Sequence, residues 1–379
     1  MTHVNPIALG LGRAGQLWRR SRNALRARLL HGRAFSGAYP NRLLILSLPE
    51  RIPQSQIHPF HYYAGQIAEW HGTELREADV HAYAGGGFAH LHGATTVAFQ
   101  TGFDITRAEL ERLTATIRRR NPKARLVYLD WFAPTDLRLA ARINDLVDLY
   151  VKKHLLADAD RYGQPTLGDT NLTDHYARRF GLDLPETRFE IPQGFLDKLV
   201  LGPSFVTADF MIGTFAGAAP LGRGPRPIDL HARIAVEGSP WYQAMRGECR
   251  AAVQGLQGLE TVTETGVGLV RYLLELRASK ICFSPFGYGE VCWRDFEAAA
   301  HGAVLLKPVM SHIRTRPDIF QARETYMPLA WDLSDFEDRL GELLDSAGLR
   351  KRLSENAFSV LHDYVVQARF VEQMAPVLA

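Results

Sequence analysis

The stretch that most limits how this chain can fold is residues 278–308, ASKICFSPFGYGEVCWRDFEAAAHGAVLLKP. Residues 281–283 are a short apolar run that stops at Ser284 and Pro285. Phe286, Gly287, Tyr288 and Gly289 follow as a turn, because two glycines this close give the backbone freedom that other residues lack. Residues 293–301 have a helical pattern, with Phe296, Ala299 and Ala300 on one side. Gly302 is placed to end that helix, since glycine enters the left-handed region without steric cost. A second buried strand is expected over residues 303–306, closed by Lys307 and Pro308. Strand, glycine turn, helix, glycine, strand is half of a nucleotide-binding sheet. In such sheets ligands sit at the carboxyl ends of strands, facing helix N-termini.

Arg294 and Glu297 are three apart, so they neighbour each other on one helix face near its N-terminal end. A cation there suits a diphosphate, and a carboxylate one turn later suits the two hydroxyls of a ribose. An ordinary surface Arg–Glu pair has the same spacing. The order Arg-x-x-Glu-Ala, then a small residue, glycine and an apolar strand, resembles the donor-site signature of GT-B glycosyltransferases. The exostosin-like and group-1 types, including the spore-maturation-protein type, look most similar. The resemblance covers about residues 209–345 and is specific within 278–308. It implies two Rossmann-like domains facing across a cleft, and transfer of a sugar from a nucleotide-sugar donor to a hydroxyl acceptor on a glycan, lipid-linked compound or protein. It implies that Glu297 holds the ribose, and that Arg294, Gly287, Tyr288, Gly289 and Glu290 belong to the donor site. In retaining members a second Glu often lies eight residues before the first. Glu290 is seven before Glu297, so retaining chemistry does not follow. The same fold also serves a non-catalytic binding or scaffold protein, or a nucleotide-sugar epimerase.

The first half reads as alternating strands and helices, which argues for a Rossmann-like domain. Residues 42–48 (RLLILSL) are nearly all apolar, as in a parallel strand buried on both faces. A loop over 50–59 leads into His58 and His61, just beyond the first strand, and a helix is expected to run from there to about residue 69 or 70. Residues 79–95 hold three histidines and the run Gly85 to Gly87, and read as a flexible acceptor loop without metal-ligand spacing. Further strands are expected at 95–99 and 125–129, with a helix at 107–120 between them. At 147–151 a strand competes with the end of a helix. Asp104 and Asp130 each follow a strand end. Either is placed to deprotonate an acceptor hydroxyl, or to cap a helix or turn. Asp130 ranks first, because Trp131 and Phe132 can desolvate its carboxylate; His61 follows, since its ordinary pKa is near neutrality; Asp104 is third, as a residue that also suits a helix cap.

Residues 157–190 are polar and mixed, as for an excursion over the cleft, and 191–205 read as the connection between domains. A second set of strands is expected to begin at 209–216 (DFMIGTFA). Arg223 and Arg226 then stand on a loop of glycines and prolines, where they clamp a diphosphate or face solvent. The division expected is a basic arm over 1–35, an acceptor domain over 36–195 and a donor domain over 205–359. A C-terminal helix at 360–379 is expected to return to the first domain.

Charge is unevenly spread. Residues 1–49 hold eight arginines and no acid, whereas the rest of the chain has 36 basic and 41 acidic residues. Residues 16–30 pattern as an amphipathic helix, with Leu17, Trp18, Leu25 and Leu29 among arginines, a form that lies on an anionic membrane surface. A solvated arm fits the same pattern. With a net charge of +3 and one aromatic beside the arm's arginines, no nucleic-acid partner is expected. Three cysteines without motif spacing argue against a disulfide framework or zinc site and fit a reducing cytoplasm. No run of 18 apolar residues occurs. The expected location is cytoplasmic, peripheral to the inner membrane face if the arm binds lipid. No cofactor or metal is expected, the nucleotide-sugar being a substrate.

Overall fold

The computed structural model describes Ala14, Trp18, Leu25, Leu30 and residues 31–222 and 224–378. In chain order the first half holds strands β1 (Asn41–Ser47), β2 (Thr73–Asp79), β3 (Thr96–Phe99), β4 (Arg125–Asp130), β5 (Leu149–Lys152) and β6 (His154–Leu156). A two-residue pair follows, β7 (Thr166–Leu167) and β8 (Glu186–Thr187), and then β9 (Leu199–Leu201). The second half holds β10 (Ile228–His231), β11 (Thr261–Val262), β12 (Ser279–Phe283), β13 (Val304–Pro308), β14 (Ile313–Thr315) and β15 (Met327–Leu329). Two parallel sheets result, ordered β2-β1-β3-β4-β5-β9 and β11-β10-β12-β13-β15. This is the GT-B architecture of two Rossmann-like domains.

Strand β1 is central because its apolar residues Leu43, Leu44, Ile45 and Leu46 are each at most 1 % exposed, two to each face. Each such side chain contributes about 1.5–3 kcal/mol by leaving water. The core on one face of the first sheet is continuous with that of the second sheet, through residues such as Phe205, Phe286 and Phe296. The other face of the first sheet packs separately against the helix Arg107–Arg120. The segment Arg369–Gln373 packs on the first domain: Phe370 stacks on Tyr63, and Gln373 donates to Leu201 O at 2.6 Å.

Three elements differ from the sequence reading, and a fourth settles an alternative it left open. Strand β2 (TELREAD) does not announce itself as a strand, since four of its seven residues are charged. It is an edge strand, covered in part by His31 and Gly32, and its buried glutamates find partners only in the folded chain. The loop expected over 50–59 is the helix Arg51–Tyr62. Pro53 sits in its first turn, where a missing N–H is tolerated, and Pro59 lies one turn from its end. Residues 209–216 contain no strand. Ile212–Phe215 is a turn of helix whose Phe215 packs on Phe358, and the second sheet begins instead at β10. A short apolar run does not distinguish strand from buried helix by periodicity. At 147–151 the strand prevails, as β5.

The domains are joined by more than the linker. Strands β6 and β14 pair antiparallel across the junction. The helix Asn171–Phe180 packs on the helix Pro240–Gln254, with Arg179 bonded to Glu248.

Candidate active site

The helix Trp293–His301 starts where β12 ends, and its first turn is locked by one carboxylate. Asp295 accepts from the Cys292 backbone N–H at 3.0 Å and from Ser284 Oγ at 2.7 Å, and it pairs with buried Lys307 at 3.2 Å. Satisfying these groups together fixes the turn 284–292 against the helix N-terminus. Beside that turn is a cavity of about 450 Å³, lined among others by Tyr242, Arg246, Tyr272, Gly287, Arg294 and Glu297. The structure thus brings three of the sequence candidates, Gly287, Arg294 and Glu297, to one place.

Glu297 is 8 % exposed and accepts a hydrogen bond from Tyr272 Oη at 2.9 Å. Burial raises its pKa, against the opposing effect of Tyr272, Arg294 and Arg51. Arg294 donates through Nη2 to Arg233 O at 2.6 Å, and its Nε is buried without a partner. Arg246 donates to Ala235 O at 2.6 Å and to Phe286 O at 2.7 Å, and burial lowers its pKa. Neither Arg294 nor Arg246 is ion-paired with a carboxylate among the described residues. A guanidinium taken out of water without a counter-charge, as Arg246 is, is costly, and a cavity that also holds the half-buried Arg294 with its buried Nε unpartnered favours an anion. Across the junction, the Arg51 guanidinium lies 4.5 Å from the ring centroid of Trp293, one of the cavity's wall residues.

The remaining donor-site candidates are placed differently. Tyr288 is 49 % exposed and stacks on Tyr242 at 4.5 Å, behind the cavity wall. Gly289 meets the first domain: a Cβ there would stand 2.0 Å from Ala133 O, so only glycine permits the approach. Glu290 does not line the cavity. It is fully buried in the junction, accepting from Thr135 Oγ1 at 2.6 Å, with His154 Nε2 at 3.4 Å and His312 Nε2 at 3.7 Å. Burial pushes its pKa up, but the two histidines outweigh that and hold it well below the usual carboxylate range. Arg226 is no diphosphate clamp. Its guanidinium donates to Ser279 O, Gly222 O and His301 O at 2.6–2.8 Å, at the opposite end of the helix Trp293–His301. Arg223 lies outside the described residues.

Of the three candidate bases, two are spent. Asp130 is 1 % exposed and held by Lys152 Nζ at 2.7 Å, Tyr150 Oη at 2.7 Å and the Phe132 N–H at 2.8 Å. His61 is 8 % exposed and paired with Glu77 at 2.8 Å. Ser47 and Gln54 also donate to Glu77; burial raises its pKa, and these partners bring the net shift below the ordinary value. Asp104 is exposed and is not a helix cap, because Thr106 and Glu109 form the capping box. It lines a second cavity, of about 900 Å³, at the carboxyl ends of the first four strands of the first sheet.

Arg246, Tyr272 and Arg51 carry no signal in the sequence. Arg51 and Arg246 stand on helices remote from 278–308 in the chain, and Tyr272 on the helix Leu269–Arg277 that leads into it, none of them within a motif. Among the described residues no group of three or more His, Cys, Asp or Glu side chains is arranged to hold a metal ion. Of the residues expected to meet lipid, Trp18 and Leu25 are described, both more than 60 % exposed; Leu17, Leu29 and arginines 19, 20, 22, 26 and 28 lie outside the described residues.

No family model matches the chain, and no curated protein matches it. Among solved structures it is similar to an alpha-glucosyltransferase in complex with UDP and a 13-mer DNA, at 9 % identity over 88 % of this chain and 99 % of that one, TM-score 0.49. It is similar to sucrose-phosphate synthase from Thermosynechococcus elongatus, at 10 % identity over 89 % and 98 %, TM-score 0.46. UDP-GlcNAc 2-epimerase from Methanocaldococcus jannaschii stands lower, at 9 % identity over 86 % and 98 %, TM-score 0.38. All three TM-scores are below 0.5, so the residues of the cavity, and not these likenesses, carry the functional reading.

Proposed function

We propose that the protein is a glycosyltransferase that takes its donor as a nucleotide-sugar in the cavity beside Glu297 and passes the sugar to a hydroxyl acceptor. The observation that supports this is two cavity-lining guanidiniums without carboxylate partners, buried Arg246 and half-buried Arg294, next to a carboxylate held by Tyr272. The guanidiniums meet a diphosphate, and Glu297 accepts from the ribose hydroxyls. As the sugar leaves, charge grows on the diphosphate. Fixed cations in a site closed to water stabilise that charge more than they stabilise the bound donor. The acceptor hydroxyl loses its proton as it attacks, and Asp104 is the one sequence-derived base still free to receive it. Peripheral contact of the basic arm with anionic lipid belongs to the same reading, since a lipid-linked acceptor would be met there.

Calorimetry with UDP, GDP, ADP, CMP and TDP tests the donor site. One nucleoside diphosphate is expected to bind, and Glu297→Ala to weaken it roughly ten- to a hundredfold, the loss of one charged hydrogen bond of ~1.5–3 kcal/mol. Unchanged binding in a folded variant removes Glu297 from the site. Release of free sugar without an acceptor, or an epimerised donor, would favour another activity of the same fold.

A further inference from the structure

The cavity of about 900 Å³ in the first domain is twice the volume of the donor cavity, and its chemistry is different. Its walls include Leu48, Val80, Phe103, Ile105, Leu113 and Trp131. Phe103 is 55 % exposed and edge-on to Phe132, so its ring is held at the opening. The uncharged polar groups at the strand ends of this wall, Gln100, Thr101 and the Trp131 indole, are already engaged. Gln100 accepts from the Leu48 N–H at 3.2 Å and donates to Pro53 O and Gln56 Oε1 at 3.1 and 2.9 Å. Thr101 Oγ1 bonds with Tyr128 Oη at 2.9 Å, and the Trp131 indole N–H donates to Thr101 O at 2.9 Å. A saccharide needs a dense set of free donors and acceptors to replace its water, whereas the inner wall here presents ring faces and methyl groups and the ionisable groups are among the exposed residues of the lining. The charges that line the cavity, among them Glu50, Asp104, Arg112 and Arg119, are exposed and of both signs, so they demand no net charge from a ligand.

The helix Arg51–Tyr62 ties this cavity to the donor site. Pro53 and its capping residue Glu50 line the large cavity, while Arg51 between them lies over Trp293 of the donor cavity. From this geometry we infer that the acceptor is a small molecule with an apolar body, an alcohol or phenol, whose hydroxyl is presented to Asp104. The inference rests on the donor reading for the reaction, but not for the binding. A cavity of this volume is within the range used for small-molecule ligands.

The test uses the full chain, with estradiol as the apolar phenol and maltotetraose as the saccharide comparator, followed by calorimetry at several temperatures. Estradiol is expected to bind with a negative heat-capacity change, the mark of buried apolar surface, and maltotetraose not to bind. Ala115→Trp fills the cavity from an exposed helical position and should weaken estradiol at least ~10-fold, with nucleotide affinity unchanged. Phe103→Ala, which removes a wall, should weaken it as well. Binding of maltotetraose in place of estradiol, no binding of estradiol, or estradiol affinity indifferent to both substitutions overturns the inference. Failure of the donor reading is seen separately, as absence of nucleotide binding.

Discussion

At the scale of single residues, Asp130 and Asp104 separate a structural carboxylate from a chemical one. Asp130 pairs directly with Lys152 in the β4–β5 register, and both side chains are at most 1 % exposed. Asp130→Asn leaves a buried ammonium without its counter-charge, and breaking such a pair costs about 3–5 kcal/mol. Denaturant unfolding should therefore show a large loss of stability. Asp104→Asn should leave stability within ~0.5 kcal/mol, as for most exposed substitutions. If Asp104 is the base, its loss should lower turnover at least ~100-fold with donor affinity unchanged. Normal turnover in Asp104→Asn would place the base elsewhere. Strand-end position alone could not rank these residues in the sequence, because Lys152 is 22 residues away and meets Asp130 only through sheet pairing.

At the scale of elements, what was legible was what is written locally. The helix Trp293–His301 and its left-handed Gly302 follow from periodicity and one glycine. Strand β2 did not, because its charged side chains find their partners on other elements, such as His61 and Ser47 for Glu77. Glu290 likewise read as a donor-site residue, since nothing near it in the chain announces Thr135, His154 or His312. The basic arm is a further element with its own test. Sedimentation with liposomes should show binding that needs anionic lipid and weakens with salt. Equal sedimentation by a chain beginning at Ser36 would exclude the arm.

At the scale of the whole molecule, the junction around Glu290 ties domain contact to pH. A carboxylate whose folded pKa is depressed contributes stability that is present above its ordinary value of 4.5 and lost as pH falls through the folded pKa. Acidification below about 4.5 should therefore loosen the junction. Glu290→Gln should reduce the pH dependence of Tm in that window, while wild-type steepness retained in the variant would assign the effect to other carboxylates, Glu77 foremost.

The chain crosses the junction more than once, and this bears on how it can be cut. Residues 216–218 form an exposed segment before the second sheet. A protease nick there would leave an amino-terminal fragment whose β6 lacks its partner β14, and whose Tyr63 and Leu201 lack Phe370 and Gln373. Each fragment carries pieces that only the other can cover. Nicked protein should accordingly run as one species under native conditions and separate only in denaturant, so that the two halves behave as subunits of an obligate heterodimer.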